Sequence, residues 1–391
     1  MPHQKDTDKF FMRAAIAEAR KGLGRTSPNP PVGAVLVKNG EVVARAHHRR
    51  AGEAHAEIEV LTKAGEKAGG AEMYVTLEPC DHHGCTPPCS LAVMKAGVSR
   101  VVLGCEDPNP LVSGRGIKRL KKGGVDVSAG VLEKECSRLI EAFTVVVTKK
   151  RSHVTIKAAV TLDGKISTKT GHSRWISGDK SLALAHRLRN RIDAILVGAS
   201  TVRKDDPSLT CRMRGGRDPI RIILSNDLKL SPDAKVFHAS TGRERAAVIV
   251  ATTSGGGRSR RERAGELRRV GAEIWTMDSD SGSLDGGSVG LKGLLEKLAG
   301  AGVNSVLVEG GARVHGAFFY EGLCDRVVFV VAPKIMACGE ALSAVACKGP
   351  LTMAGAVSLR EVETCRYGDD VMVSGVPDFS ESGMGEERTM R

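Results

Sequence analysis

Apolar positions along the first 150 residues change their period again and again. Phe10 to Lys21 is Ala-rich with apolar residues at helical spacing, and Gly22 and Gly24 follow, which predicts a helix. Val32 to Val37 and Glu41 to Ala46 read as strands joined at Lys38-Asn39-Gly40, since Asn-Gly between apolar runs is a strong hairpin signal. A helix over His55 to Ala68 and a strand over Met73 to Leu77 come next. A helix opened by Pro87-Pro88 then runs to Lys95, because proline fits a first helical turn. A strand at Val101 to Gly104, a helix at Gly116 to Lys122, a short strand at Val125 to Val127 and one long helix from Leu132 to Lys149 complete this half. Alternating strands and helices imply an α/β fold, largely parallel, with helices on both faces.

The basic stretch Lys149-Lys150-Arg151 marks a boundary, so we expect one domain at 1–150 and a second at 151–377. Strands of the second are expected at His153–Val160, Ala194–Val197, Ile220–Leu224, Ala247–Val250, Glu273–Thr276, Ser305–Val308 and Val327–Val331, with paired strands in 355–375. Helices fit Asp179–Arg189, Leu291–Ala299 and Ala312–Tyr320. Ser254 to Arg269 holds Gly255-Gly256-Gly257 and six arginines, and reads as a solvated loop and helix or as a phosphate or RNA contact. Ser281 to Gly290 is a Gly/Ser loop, and the polar tail, 378–391, is expected to be disordered.

Composition narrows the classes. With 41% hydrophobic and 26% charged residues in a chain of 391, folded cores are expected and global disorder is not. No apolar run approaches the roughly 18 residues of a membrane span, so no membrane partner is expected. The polar start lacks the apolar core of a secretory signal. Ten cysteines are too few for a disulfide scaffold and are expected to be reduced thiols in a cytoplasmic protein. The net charge of +13 is shared between the halves, and aromatics are only 3%, so neither a basic arm nor a stacking platform for nucleic acid is signalled. A basic protein binding small phosphorylated ligands fits equally.

The first chemical constellation joins His55-Ala-Glu57 to residues 78–89, Glu-Pro-Cys-Asp-His-His-Gly-Cys-Thr-Pro-Pro-Cys. A catalytic zinc takes three nitrogen or thiolate ligands and keeps one position open. His55, Cys80 and Cys89 supply such a set, one Zn2+ per chain. Two of them sit where helices start, and the partial positive charge there favours thiolate. Glu57 would shuttle a proton, the logic of the zinc-dependent base deaminases. A structural zinc site would want a fourth ligand, and Cys85 could be it, but such a site has no need of a Glu beside the ligand His.

Here the chain resembles the bifunctional deaminase/reductase family of riboflavin biosynthesis. The resemblance rests on Ser27-Pro-Asn-Pro-Pro-Val-Gly33, His48-Arg-Arg-Ala-Gly-Glu-Ala-His55-Ala-Glu57, Val75 to Cys89, and Glu106-Asp-Pro-Asn-Pro110. The wide Cys80-to-Cys89 spacing also looks like this family. It implies a cytidine-deaminase-like three-layer first domain, zinc on His55, Cys80 and Cys89, Glu57 as catalytic residue, and contacts from Asn29, His48 and His82 to a phosphorylated pyrimidine. Cys85 departs from the family's Lys or Arg, a residue that helps hold the substrate phosphate, and Asp81 adds negative charge nearby.

The second half has no Gly-x-Gly-x-x-Gly after a strand, so a standard dinucleotide fold is not signalled. Its informative segments are Lys157 to Gly164, Ser173-Arg-Trp-Ile176, Asp205 to Arg212 and Val308-Glu-Gly-Gly-Ala-Arg-Val-His-Gly316. The last joins a strand to a helix, and Gly310-Gly311 could admit a phosphate at the helix start or simply make a tight βα loop. All four segments also resemble the reductase half of the same family, which implies a dihydrofolate-reductase-like fold using NADPH. Carried over by position, cofactor contacts are Ala159, Trp175, Thr201, Asp205 and Gly311, Ala312, Arg313, Val314, His315, Gly316 and Ala317. Substrate contacts are Ser173, Arg189, Leu209, Arg212 and Glu309. Guanidinium groups at 189 and 212 suit a phosphate. Lys157 would polarise the sugar or be a solvated neighbour, and Ser225-Asn226 replaces the family's usual Asp-Ser.

The resemblance thus implies a two-step enzyme, expected to be a homo-oligomer. It replaces the 2-amino group of a diaminopyrimidinone ribosyl phosphate by oxygen, then reduces ribosyl to ribityl. A zinc-dependent nucleoside or nucleic-acid deaminase with an accessory domain, a zinc-stabilised binding module without turnover, and a reductase with an impaired deaminase domain are the alternatives.

Overall fold

Asn39 and Gly40 both take positive φ, 54° and 78°, and close the hairpin between β1 (Gly33–Lys38) and β2 (Glu41–His47). That hairpin is the antiparallel side of the first sheet in this computed structural model, which describes residues 2–81, 87–110, 112–241, 246–255, 257–280, 288–380 and 382. The chain divides into two compact units, Met1–Arg151 and Ser152–Arg391.

In the first unit α1 (Pro2–Gly22) precedes the hairpin. Then come α2 (Ala56–Ala64) with a 3-10 turn at Gly65–Ala68, β3 (Glu72–Leu77), α3 (Cys89–Lys95), β4 (Arg100–Cys105), α4 (Arg115–Lys122), β5 (Asp126–Ser128), α5 (Glu133–Leu139) and α6 (Glu141–Lys149). The sheet order is β2-β1-β3-β4-β5, antiparallel as far as β3 and parallel from β3 to β5. α1 packs with α5, and α2 packs with α3, which meets α4, so the sheet lies between two helical layers. Gly33 is what lets α1 settle on β1, since a Cβ there would lie 2.1 Å from the carbonyl of Ala15. Met12, Leu36, Met73 and Leu103 fill the core.

The helix expected as one piece over Leu132–Lys149 is two, broken at Ile140 (φ −106°, ψ 13°). No Gly or Pro breaks it. The Ile140 carbonyl accepts both the backbone N–H of Thr144 (2.8 Å) and its hydroxyl (3.0 Å) at the start of the second piece.

The second unit starts with β6 (His153–Thr161) and β7 (Lys165–Ser167), then α7 (Asp179–Arg191), β8 (Ala194–Gly198), α8 (Ala199–Asp205), β9 (Ile220–Leu224), α9 (Lys235–His238), β10 (Val248–Thr253), α10 (Arg258–Arg269) and β11 (Ala272–Met277). It continues through β12 (Ser279–Asp280), β13 (Ser288–Val289), α11 (Leu291–Gly300), β14 (Ser305–Val308), α12 (Ala312–Tyr320), β15 (Arg326–Ala332), β16 (Leu342–Ser343), β17 (Ser358–Tyr367) and β18 (Asp370–Asp378). Nine strands form one sheet in the order β11-β10-β9-β8-β14-β6-β15-β18-β17, while β7–β16 and β12–β13 are separate pairs. The run from β11 to β15 is parallel, and β18 and β17 close it antiparallel.

Helices cover both faces. Leu196 of β8 joins one core with Ile156, Leu294, Leu298 and Phe318, whereas its neighbours Ile195 and Val197 join the other with Ile223, Phe237 and Leu267. Burial on both faces explains why β8 and β14 read as nearly unbroken apolar runs. β18 runs one residue past the expected boundary at 377, and residues 381 and 383–391 of the tail lie outside the described residues.

Candidate active sites

His55 is the residue immediately before α2, and Cys89 is the first residue of α3 with Pro88 before it. Cys80 sits on the segment leaving β3, and its carbonyl accepts the N–H of Ser90 (3.2 Å), which draws the two cysteine segments together. One donor atom from each of His55, Cys80 and Cys89 falls within 4.8 Å of the others. His55 Nδ1 lies 3.3 Å from Cys89 Sγ and 3.6 Å from Cys80 Sγ. Tetrahedral zinc with Zn–N of about 2.1 Å and Zn–S of about 2.3 Å holds N and S roughly 3.5 Å apart, so the three donors fit zinc.

The electrostatics agree with a metal-ligand set. A hydrogen bond from Cys89 holds the Cys80 thiol below its ordinary range, against the effect of burial. The same hydrogen bond and burial push the Cys89 thiol up. Burial, and then the Cys80 charge, raises the Glu57 carboxyl to about 7.

A cavity of about 290 Å³ opens on this cluster. Asn29, His48, His55, Glu57 and Cys80 lie on its wall. The His48 Nδ1–H donates to the Ala54 carbonyl (3.0 Å), which leaves Nε2 to accept from Asn29 Nδ2 (3.1 Å). Burial lowers the His48 pKa, so the ring is neutral near pH 7. His82 and Cys85 fall outside the described residues. Asp81 does not stand alone, since Arg119 of α4 pairs with it and Ser90 Oγ donates to it at 2.6 Å.

Sequence reasoning missed Glu78. Its buried carboxylate accepts the backbone N–H groups of Asp107 (3.2 Å), Gly114 (3.0 Å) and Ile117 (3.2 Å) and so fastens the loop that brings Asp107 and Asn109 to the cavity wall. The signal was the Glu106-Asp-Pro-Asn-Pro110 motif, to which the sequence assigned no role.

In the second unit Arg189 of α7 and Glu309, just past β14, form a buried two-point ion pair. Nε and Nη2 of Arg189 donate to the two carboxylate oxygens at 3.1 and 2.7 Å, and Nη1 donates to the Thr210 carbonyl at 3.1 Å. Burial alone would raise the Glu309 pKa, but the Arg189 and Lys157 charges overcome it and hold the carboxyl at about 2. Arg212 lies against His186, with Nε 3.3 Å from the ring. Leu209 is buried and takes positive φ (54°), whereas Ser173 is half-buried and Trp175 exposed on their loop.

Next to this pair the Gly310-Gly311 turn packs hard on β8. A Cβ on Gly310 would lie 2.6 Å from Val197 Cα, and one on Gly311 would lie 3.6 Å from Thr201 Oγ1. His315 is buried, its Nδ1–H donating to the Ala344 carbonyl at 2.8 Å, and a Cβ on Gly316 would meet the Ala346 carbonyl at 2.0 Å. These contacts fix α12 beside a crevice of about 740 Å³ whose wall includes Arg313, Val314 and Ala317. Ala159, Trp175, Thr201 and Asp205 are not among its wall residues, and Ala312 lies buried at the helix start. Arg203, Cys347 and Lys348 do line it, and the sequence carried no sign of the last two.

Comparison with known proteins supports both halves. Residues 5–105 match the model of the cytidine and deoxycytidylate deaminase zinc-binding region, and residues 152–373 match the RibD C-terminal domain. The chain is 40% identical over 370 residues to the riboflavin biosynthesis protein RibD of Aquifex aeolicus, covering 94% of this chain and 98% of that one. It is 36% identical to RibD of Escherichia coli, over 84% and 88% of the two chains. The crystal structure of a diaminohydroxyphosphoribosylaminopyrimidine deaminase/5-amino-6-(5-phosphoribosylamino)uracil reductase from Thermotoga maritima superposes with a TM-score of 0.80 at 37% identity, covering 96% of this chain and all of that one. Acinetobacter baumannii RibD gives 0.79 at 31% identity, with the same coverage. A zinc-type deaminase unit followed by an NADPH-type reductase unit, matched along nearly its whole length by such relatives, means that the chain belongs to the RibD family of bifunctional deaminase/reductases of riboflavin biosynthesis.

Proposed function

We propose that the first unit deaminates 2,5-diamino-6-(ribosylamino)pyrimidin-4-one 5'-phosphate and that the second reduces the ribosyl group of the product to ribityl. The observation that carries this reading is the burial of the Glu57 carboxyl in the same small cavity as the His55, Cys80 and Cys89 donors and the Asn29–His48 pair. Held by those three donors, zinc supplies Lewis acidity that makes water nucleophilic near neutral pH. Glu57 takes a proton from the water that adds at C2 and delivers it to the amino nitrogen, which leaves as ammonia. Asn29 and His48, already bonded to each other, orient the pyrimidine, with His82 assigned to the same ring.

In the second unit NADPH supplies the hydride, delivered to C1′ of the opened, imine-like sugar. We assign it to Ala159, Trp175, Thr201, Asp205 and the Gly311–Ala317 turn and helix. Substrate falls to Ser173, Arg189, Leu209, Arg212 and Glu309. Arg189 spends three of its five N–H donors on Glu309 and Thr210, which leaves two for the substrate phosphate.

Glu57→Gln should keep one zinc per chain and lose ammonia release, while a zinc chelator should stop deamination and spare reduction of the deaminated substrate. Full turnover in Glu57→Gln, or a reductase that dies with the metal, overturns the assignment.

We place the enzyme in the cytoplasm, because the nine cysteines among the described residues are all free thiols. We also infer a homo-oligomer. β17 is a ten-residue edge strand exposed over nearly its whole length, the kind of edge a second copy covers. Sedimentation velocity showing only monomer would sink that inference.

A further inference from the structure

The six arginines of 258–269 are not equivalent. Arg258, Arg261, Arg268 and Arg269 are exposed, whereas Arg260 and Arg263, one turn apart on α10, are half-buried. Arg260 donates through Nη1 to the Asn226 carbonyl, and through Nη2 to Thr252 Oγ1 (2.6 Å) and the Thr253 carbonyl. Arg263 donates through Nη1 to the Asp227 carbonyl at 3.1 Å. The two side chains therefore tie the loop leaving β9 to the end of β10. Room for this comes from Gly255, where a Cβ would lie 3.2 Å from Arg260 Cζ.

The loop they hold, Ser225 to Asp227, is part of the crevice wall. It is also held internally, since the Asp227 carboxylate accepts Ser225 Oγ (3.3 Å) and the Lys229 N–H (3.1 Å). Carbonyls just past the C-terminal ends of parallel strands face the region where α/β sheets bind ligands. A polar loop there has no ladder to set its shape, so its carbonyls need donors from elsewhere. A planar guanidinium reaches acceptors on two strands at once, which a lysine ammonium cannot match.

We infer that Arg260 and Arg263 are positioning residues of the reductase: they fix the Ser225–Asp227 wall of the NADPH crevice without touching the cofactor. The inference rests on the crevice being the NADPH site. Arg260→Ala should raise the KM for NADPH at least tenfold, keep kcat at saturation within twofold, and leave ammonia release unchanged. The KM for NADH should rise by the same factor, because the loop's shape serves both dinucleotides. Arg260→Lys should stay impaired, and Arg261→Ala, an exposed change on the same helix, should match the parent. Should Arg260→Ala not fold, Arg263→Ala, which gives up one carbonyl, should show the same pattern with a three- to fivefold rise.

An unchanged NADPH KM in folded Arg260→Ala overturns the inference. So does recovery in Arg260→Lys, which would make charge alone the cause. A rise for NADPH but not NADH also overturns it, since Arg260 would then be a direct phosphate ligand. Ala317→Phe, which puts bulk into the crevice itself, separates the two readings. If it leaves the NADPH KM unchanged, the crevice assignment falls; if it raises that KM while Arg260→Ala does not, the positioning role alone falls.

Discussion

Arg189→Met removes the cation from a buried carboxylate while keeping much of the side-chain bulk. The parent pair is closed, with two N–H···O bonds at 2.7 and 3.1 Å and both side chains largely shielded. The Glu309 carboxyl sits at about 2 instead of its ordinary 4.5, which corresponds to about 3 kcal/mol in favour of the carboxylate. Removing one member of a buried ion pair costs about 3–5 kcal/mol in general, so the two figures agree. Because the folded value is depressed, this stabilisation is present above about pH 4.5 and fades only as the pH falls toward 2. At pH 7 the parent therefore has all of it, and Arg189→Met should lose about 3 kcal/mol from the reductase unit. The assay is urea titration of the full chain read by tryptophan fluorescence, since the two tryptophans, Trp175 and Trp275, both belong to the second unit, with ammonia release as the internal control for the first. Two units make a single unfolding midpoint unsafe, so each unit must be followed by its own signal. Arg189→Met with Glu309→Leu should regain at least about 1 kcal/mol of stability, since no lone charge stays buried, yet remain inactive. A reductase midpoint in Arg189→Met that moves by less than about 0.5 kcal/mol would refute the reasoning.

The first unit has a counterpart at Arg100 of β4, which bonds Asp8 (2.8 Å) and Glu72 (2.9 Å) and ties α1 to the sheet. Arg100→Met should cost the deaminase unit about 3–5 kcal/mol, read as ammonia release lost at lower urea. Burial alone would raise the Asp8 pKa, but hydrogen bonds from Arg100, Gln4 and Tyr74 lower it, so the parent should weaken as pH falls below the ordinary 3.8 and the variant should already be weak at pH 7. Gly310→Ala should lower reductase stability by about 1–3 kcal/mol and weaken NADPH binding, because the new methyl meets β8 backbone that cannot rotate away; isothermal titration with NADPH checks it.

Much of this was legible in the chain because local rules and tertiary packing agreed. The Asn39-Gly40 turn, the apolar strands buried on both faces and the Ala312–Tyr320 helix follow from period and turn chemistry alone. The His55, Cys80 and Cys89 set was legible because metal ligands must be particular residue types. What stayed hidden depends on contacts between distant segments. The break at Ile140 has no Gly or Pro to announce it. α8 was missed because it is only about two turns long, entered from Gly198 and ended at an Asp-Asp-Pro sequence that looks like a turn. The role of Glu78 needs three backbone N–H groups that lie 29 to 39 residues away. The pairing of Arg189 with Glu309 spans 120 residues and turned an expected phosphate clamp into one that also holds a carboxylate.

β6 begins at His153, directly after the first unit ends, yet it lies in the interior of the nine-stranded sheet between β14 and β15. Its neighbours are Ser305–Val308 and Arg326–Ala332, so the first strand of the reductase stays without a sheet partner until β14 has been made. At about 5–20 residues per second on the ribosome, that wait is roughly 10–30 s. The deaminase unit has all its strands before the wait begins. The reductase spends it with a central strand unpaired, which makes vectorial synthesis protective for one half of the enzyme and hazardous for the other.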